Sequence, residues 1–123
     1  MYHLVFPLRY RKSVITKEIG EGLKDICLEI SEHYDVHFIE IGYESNHVHF
    51  LVQSVPNYSV SKMIRILKSI TAKELFQRYP EIKIKLWGGK FWTRGFYANT
   101  VGQYSNEEVI EAYVKNPRNG ERI

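Results

Sequence analysis

The fold is decided by the stretch VHFIEIGYESNHVHFLVQ, residues 36–53. Its first part alternates between apolar and other residues up to Tyr43, which predicts a strand. Val36 and Phe38 are expected on the buried side of this strand, with Ile39 and Ile41 as further candidates. Glu44-Ser45-Asn46 is typical of a turn, and a second strand is predicted over 47–53. The stretch therefore predicts a β-hairpin.

The flanking sequence adds two strands and three helices. Thr16 and Ser59 are predicted caps of the first two helices, and a capping box starting at Ser105 opens the third, which Pro117 ends. The predicted bounds are 2–8 (strand), 16–34 (helix), 59–79 (helix), 92–99 (strand) and 105–116 (helix). This order predicts a single α+β domain over 1–123, with a ferredoxin-like antiparallel sheet and helices packed on one face.

Composition indicates an ordinary globular protein of 123 residues, with 44% hydrophobic and 25% charged residues. The apolar runs are too short for a membrane span, and no signal peptide is visible before residues 2–6. Cys27, the single cysteine, excludes an internal disulfide and is interpreted as a small buried residue of a helix. We therefore expect a cytoplasmic protein.

Charge and aromatic residues favour nucleic acid as a partner. The net charge is only +3, but basic residues cluster around Arg9 and again between Lys83 and Arg94. Residues 91–97, FWTRGFY, interleave aromatic and basic side chains, which suits unpaired bases and their phosphates. Two solvated basic loops and an aromatic buried strand would produce the same patterns, so both interpretations stay open.

His47 and His49 form the pattern with the clearest chemistry. Side chains two apart on a strand share a face and are separated by about 6.6 Å along it, so both imidazoles can reach one metal ion. Val48 and Leu51 are expected to point into the core. An exposed histidine face without any ligand is the alternative. The other histidines show no comparable pairing and are expected at the surface or partly buried: His3, His33 and His37.

Ordered motifs along the chain carry a family resemblance. The segment Asn46-His47-Val48-His49-Phe50 resembles the histidine–hydrophobe–histidine signature of the HUH endonuclease superfamily. Several other segments resemble the IS200/IS605 single-strand transposases in the same order: YHLV (2–5), YSVSK (58–62), LK (67–68), LWGG (86–89), FWTRGFY (91–97) and VIEAYV (109–114). The resemblance covers about residues 2–116, nearly the whole chain.

The resemblance implies an enzyme that cleaves and rejoins single-stranded DNA through a 5′-phosphotyrosine intermediate. Tyr113, on the C-terminal helix, takes the nucleophile position, although helical periodicity alone would let it pack on the sheet. His47 and His49 would hold a divalent Mg or Mn ion. The family's third ligand, a glutamine one turn beyond the tyrosine, is replaced by Pro117. Asn116 is the nearest amide, and Glu121 or a water are other candidates.

The family resemblance also implies a partner and an assembly. The expected partner is single-stranded DNA with hairpins near the element ends, bound by a homodimer that shares its active sites between subunits. Candidate phosphate contacts are Arg9, Arg11, Lys12, Lys62, Arg65, Lys90 and Arg94.

Other functions remain open at this point. They are a DNA hairpin-binding relative that lost catalysis with its third ligand, and a housekeeping relative acting on hairpins of the host genome. A 2H-type phosphoesterase is disfavoured because the chain lacks two separated His-x-Ser/Thr motifs. An RNA-recognition domain is disfavoured because its Lys/Arg-Gly-Phe signature is missing.

Overall fold

The computed structural model of the chain describes residues 1–53, 55–86 and 89–101. The strands are β1 (Tyr2–Pro7), β2 (Phe38–Glu44), β3 (His47–Val52) and β4 (Tyr97–Thr100). The helices are α1 (Lys17–His33), α2 (Val60–Arg78) and the short α3 (Glu81–Lys85), and a 3₁₀ turn covers Arg9–Arg11. No described helix is long and apolar enough to cross a bilayer.

The strands form one sheet in the order β2-β3-β1-β4, with every neighbouring pair antiparallel. The predicted hairpin is confirmed, with Glu44 opposite His47 across the turn. The two central strands, β1 and β3, are connected through α1 and β2, which gives the ferredoxin-like arrangement. The predicted fold class is therefore confirmed for the described residues.

Both long helices begin and pack as their sequences predict. The hydroxyls of Thr16 and Ser59 accept hydrogen bonds from the amides of Ile19 and Lys62, satisfying N–H groups of the first turns. Apolar residues at spacings of three and four face the sheet and bury the core between the two layers. Cys27 is fully buried among them, and burial raises the pKa of its thiol to about 12, so it acts as a small apolar residue.

The last predicted strand is much shorter than expected. Of the predicted range 92–99, only its end from Tyr97 onward belongs to β4, while Trp92 makes an isolated bridge to Leu8. Between them the backbone turns towards α2, where side chains of that helix bind it. Helix α3, directly after Pro80, was not predicted. The predicted C-terminal helix with Tyr113 lies outside the described residues.

The sheet face of Leu51 also differs from the prediction. Leu51 lies opposite His3 on β1, so it shares the face of the histidine pair, although it is fully buried. Two residues after His49, it could not point to the other side of a regular strand. On β2, a register shift between Phe38 and Glu40 lets both Phe38 and Ile41 pack on the core and leaves Ile39 exposed.

Candidate metal centre and nucleic-acid interface

His47 and His49 lie side by side on β3, on the sheet face opposite the helices. Their ring centroids are 6.2 Å apart, and Val48 between them is fully buried in the core. Strand geometry alone produces this placement, because alternate side chains share a face. The structure thus brings together the two residues that the sequence predicts as metal ligands.

Gly42 makes room for the ring of His49. The two residues are direct partners across the β2–β3 hairpin, and a Cβ atom at Gly42 would overlap the imidazole. The ring therefore lies over bare backbone and is only 7% exposed. The pKa of His49 is lowered to about 4, mainly by burial and also by the charge of His47, while Glu44 opposes the shift. The imidazole is consequently neutral near pH 7, which is the form that binds metals.

His47 is oriented by its neighbour in the turn. Its Nδ1 lies 2.9 Å from Oδ1 of Asn46, so that nitrogen carries the proton and Nε2 is left as the acceptor. Nε2 of His47 and Nδ1 of His49 are buried, and neither has a hydrogen-bond partner among the described residues. Buried imidazole nitrogens without partners are costly unless they serve a ligand. These two nitrogens therefore fit a divalent ion. Asn46 accepts the hydrogen bond from the other ring nitrogen of His47, as is usual for histidines that bind metals.

The prediction that His3 lies at the surface or is only partly buried is wrong. It is fully buried on the central strand β1, on the same face as His49, and the two ring centroids are 6.3 Å apart in an edge-on arrangement. Burial lowers the pKa of His3 to about 4, helped by the charge of His49. The other two histidines, His33 and His37, are exposed as expected.

The described residues supply no third ligand. They hold no group of three histidine, cysteine or carboxylate side chains able to bind a metal. The candidates Asn116 and Glu121, with Pro117 at the family's glutamine position, lie outside the described residues. The described part of the candidate centre is thus the histidine pair alone.

By residue type alone, other tyrosines could also serve as the nucleophile: Tyr43, Tyr58, Tyr97 and Tyr104. Tyr113 and Tyr104 lie outside the described residues. Tyr97 lies on the histidine face, with its ring 6.0 Å from that of His3. Tyr43 and Tyr58 pack against the core on the helix side of the sheet. Of Tyr43, Tyr58 and Tyr97, Tyr97 is therefore the one that shares the sheet face of the histidine pair.

Four of the predicted phosphate contacts border one groove. The groove has a volume of about 830 Å³ and lies between the 3₁₀ turn, α2 and residues 89–94. Its basic side chains are the predicted contacts Arg9, Arg65, Lys90 and Arg94, together with Lys68. Lys62 and Lys12 do not line it; the ammonium of Lys62 lies 5.1 Å from the ring centre of Tyr58 instead. The side chain of Arg11 is outside what the structure describes.

The same groove contains aromatic groups that the sequence analysis did not single out as DNA contacts. Phe76 extends from α2 at the groove wall. Tyr10 has a left-handed backbone with φ of 61° and is 60% exposed, and the guanidinium of Arg9 lies 4.9 Å from its ring centre. A non-glycine residue in this conformation is uncommon. The combination of cations and rings can contact both phosphates and bases.

Two side chains of α2 bind residues 92–95, part of which line the groove. The hydroxyl of Thr71 accepts a 2.9 Å hydrogen bond from the indole of Trp92 and donates to the carbonyl of Leu67. One turn earlier, the ammonium of Lys68 donates to the carbonyls of Thr93, Arg94 and Gly95. The sequence did not predict these hydrogen bonds, because the partners are more than twenty residues away.

Comparison with known proteins agrees with this architecture. Residues 1–117 match the family described as "Transposase IS200 like". The ISDra2 transposase TnpA of Deinococcus radiodurans is 31% identical over 120 residues, which cover 98% of this chain and 85% of the relative. The transposase for insertion sequence element IS200 of Salmonella typhimurium is 31% identical over 114 residues, covering 93% and 74%.

Solved structures show the same fold. A crystal structure at 1.90 Å of a protein assigned as a transposase, from Deinococcus radiodurans R1, has a TM-score of 0.75 and 28% identity, covering 94% of this chain and 88% of that one. A REP-associated tyrosine transposase bound to a REP hairpin has a TM-score of 0.61 at 12% identity, covering 99% and 68%, and this likeness concerns the fold. With a family match over nearly its whole length, the chain belongs to the IS200-like transposases.

Proposed function

We propose that the protein is a metal-dependent tyrosine transposase that cleaves and rejoins single-stranded DNA. The observation that carries the proposal is the histidine pair. Two imidazoles lie on one sheet face, and each has a buried nitrogen without a hydrogen-bond partner among the described residues. Membership in the transposase family indicates the class of reaction. We infer that the two histidines bind the metal ion that this reaction uses.

In the proposed reaction, the hydroxyl of Tyr113 attacks a DNA phosphorus. A bond forms between the phenolic oxygen and phosphorus, and the bond from phosphorus to the 3′-oxygen breaks. The phenol loses its proton, and the leaving 3′-oxygen gains one. The product is a 5′-phosphotyrosine and a 3′-hydroxyl, which can attack the same linkage in reverse and rejoin strands without ATP.

A bound Mg or Mn ion would offset the negative charge that builds up on the phosphate. The role of His47 and His49 is to hold that ion in one place. Gly42 and Asn46 orient their rings, and burial keeps His49 unprotonated. Fixed ligands matter because a site whose ligands had to move during the reaction would stabilise the charge of the transition state less.

The basic groove is the proposed DNA-binding surface. Its basic side chains and the exposed ring of Tyr10 suit a hairpin whose unpaired bases are accessible. A structural relative was solved with a DNA hairpin bound, which supports a hairpin as the ligand class here. We propose in addition that the protein works as a homodimer whose tyrosine and histidines come from different subunits, as the family resemblance implies.

An adduct assay tests the catalytic proposal. The protein is incubated with hairpin-bearing single-stranded DNA and Mn²⁺, and a denaturant-resistant protein–DNA adduct is expected. Tyr113→Phe should abolish the adduct, because a phenyl ring has no nucleophilic oxygen. Tyr97→Phe is the matched control, since Tyr97 lies on the histidine face, and it should retain the adduct.

The outcomes separate the candidate functions. An adduct that survives in Tyr113→Phe but disappears in Tyr97→Phe would assign the nucleophile to Tyr97. Tight hairpin binding without an adduct under any divalent ion would overturn catalysis and favour a DNA-binding relative that lost it. The substitution at the family's glutamine position, Pro117, is the sequence feature that favours this second function.

A metal-binding assay tests the histidine pair separately. His49→Ala should abolish Mn²⁺ binding measured by calorimetry, while circular dichroism shows an intact fold. His33→Ala changes an exposed histidine at the end of α1 and is the control, for which no change is expected. Unchanged Mn²⁺ affinity in His49→Ala would show that the pair is structural.

A further inference from the structure

Lys68 lines the groove, but its ammonium is hydrogen-bonded to the protein's own backbone. It lines the groove on α2, between the exposed residues Arg65 and Ser69. Its ammonium nitrogen lies 2.9, 3.2 and 3.0 Å from the carbonyl oxygens of Thr93, Arg94 and Gly95. An ammonium has three N–H donors, and these three acceptors use all of them. Lys68 therefore has no donor left for a DNA phosphate.

The ammonium of Lys68 is half-buried and lies close to two aromatic rings. The ammonium lies 5.5 Å from the ring centre of Phe6 in the core and 5.3 Å from that of Phe96. Burial lowers the pKa of Lys68. No carboxylate pairs with it among the described residues, so backbone carbonyls and aromatic faces alone stabilise its charge. Such an arrangement is expected where a cation has to organise backbone.

The backbone that Lys68 binds carries a groove residue. Arg94 is exposed and lines the groove, and its own carbonyl is one of the three acceptors. Within 93–95 the hydroxyl of Thr93 also donates to the carbonyl of Gly95, which tightens the turn. An extended strand could not direct three successive carbonyls at one nitrogen, because its carbonyls alternate in direction. The interrupted strand before β4 is thus shaped around this lysine.

We propose that Lys68 is a positioning residue for DNA binding, which folds residues 93–95 around its ammonium and thereby holds Arg94 in the groove. It acts through Arg94 and makes no contact with DNA itself. This inference rests on the proposed role of the groove in binding DNA.

A double-mutant cycle tests the proposal. Hairpin DNA carrying a fluorescent label is bound to Lys68→Met, Arg94→Met and the double variant, all in a Tyr113→Phe background without divalent ions. Each single variant should weaken binding about tenfold and lower the slope of log affinity against log salt by about 1. The double variant should be no weaker than either single variant, because the lysine matters only through the arginine.

Lys62→Met combined with Arg94→Met is the control cycle, since Lys62 lies on α2 outside the groove. Its effects should multiply, as expected for independent sites. Multiplied effects in the Lys68–Arg94 cycle, with the salt slope reduced by about 2, would overturn the proposal and make Lys68 a phosphate contact itself.

A second measurement does not depend on DNA. Amide hydrogen exchange in residues 93–96 should become faster in Lys68→Met than in the parent protein, while exchange in β3 stays slow. Unchanged exchange in 93–96 would overturn the proposal. If Lys68→Met does not fold, as judged by circular dichroism, Lys68→Gln retains part of the donor set and takes its place. A parent protein that binds no hairpin would contradict the proposed function, and exchange would then still decide the role of Lys68.

Discussion

His49 and Gly42 show at the scale of single residues how a candidate ligand is placed. The two are opposite each other on neighbouring strands, and the imidazole occupies the space that a side chain at position 42 would fill. A glycine within a strand costs stability, since it loses more backbone entropy and packs no side chain. Its presence here is explained by the close approach of the ring.

Gly42→Ala should therefore impair the metal centre without removing any ligand. The added methyl group forces His49 away from its position, and the overpacking costs about 1–3 kcal/mol of unfolding free energy. Mn²⁺ affinity should fall at least tenfold in calorimetry. The control is Gly95→Ala, since a methyl group there meets no atom within 4 Å. Equal Mn²⁺ affinity in Gly42→Ala and the parent protein would contradict this account of the glycine.

Acid should destabilise the fold through the buried histidines. Both His3 and His49 have pKa values of about 4 in the folded chain, below the ordinary value of 6.5. The unfolded chain therefore binds protons first as the pH falls. Stability that is fully present above pH 6.5 is lost progressively towards pH 4, at up to about 1.4 kcal/mol per pH unit for each histidine.

Urea unfolding in the presence of a chelator, between about pH 7 and pH 4.5, measures this loss. His3→Gln should flatten the pH dependence, since glutamine does not titrate. His33→Gln, at an exposed position, should leave the dependence unchanged. A parent protein whose stability does not change over this pH range would refute the interpretation.

Helix α2 has two functions at the scale of elements. Its apolar stripe packs on the sheet, and its other residues build one wall of the groove and bind residues 92–95. Thr71 belongs to the buried stripe, yet its hydroxyl bonds to both the helix and the indole of Trp92. A buried polar group of this kind is tolerated because it is fully satisfied.

Thr71→Val should destabilise the protein by about 1–3 kcal/mol, because it leaves the buried indole N–H of Trp92 without an acceptor. The side-chain volume is nearly preserved, so the loss reports the hydrogen bond. Thr71→Ser keeps the hydroxyl and should cost less. Both are measured by urea unfolding, and a valine variant as stable as the serine variant would show that the hydrogen bond contributes little.

At the scale of the whole molecule, the histidine pair and the groove lie on opposite sides of the sheet. The histidines occupy the sheet face away from the helices, whereas the groove is bordered by α2 on the helix side. Binding of DNA and binding of metal should therefore respond to different substitutions.

Arg65→Met should weaken hairpin binding and lower its salt slope by about 1 while leaving Mn²⁺ affinity unchanged. Lys62→Met, outside the groove, should have a smaller effect on hairpin affinity. Fluorescence anisotropy over a salt series measures both. A stronger effect from Lys62 than from Arg65 would place the DNA elsewhere than in the groove.

Assembly into a homodimer with shared active sites predicts complementation. Tyr113→Phe and His49→Ala should each be inactive alone. After mixing and subunit exchange, one active site of a mixed dimer has an intact tyrosine and an intact histidine pair, so adduct formation should return. If both groups act within one subunit, the mixture should stay inactive.

The sequence by itself determined β1, the two long helices, the hairpin and the histidine pair, because these depend on local periodicity and on a short turn. Counting back from that turn also pairs Gly42 with His49, so this contact was accessible in principle. Only the tertiary structure decided the burial of His3 and the convergence of five basic residues on one groove. Strands distant in sequence pair to create those environments. The break before β4 likewise depends on Lys68, which binds residues more than twenty positions away. The strand propensity of a local segment does not predict such long-range contacts.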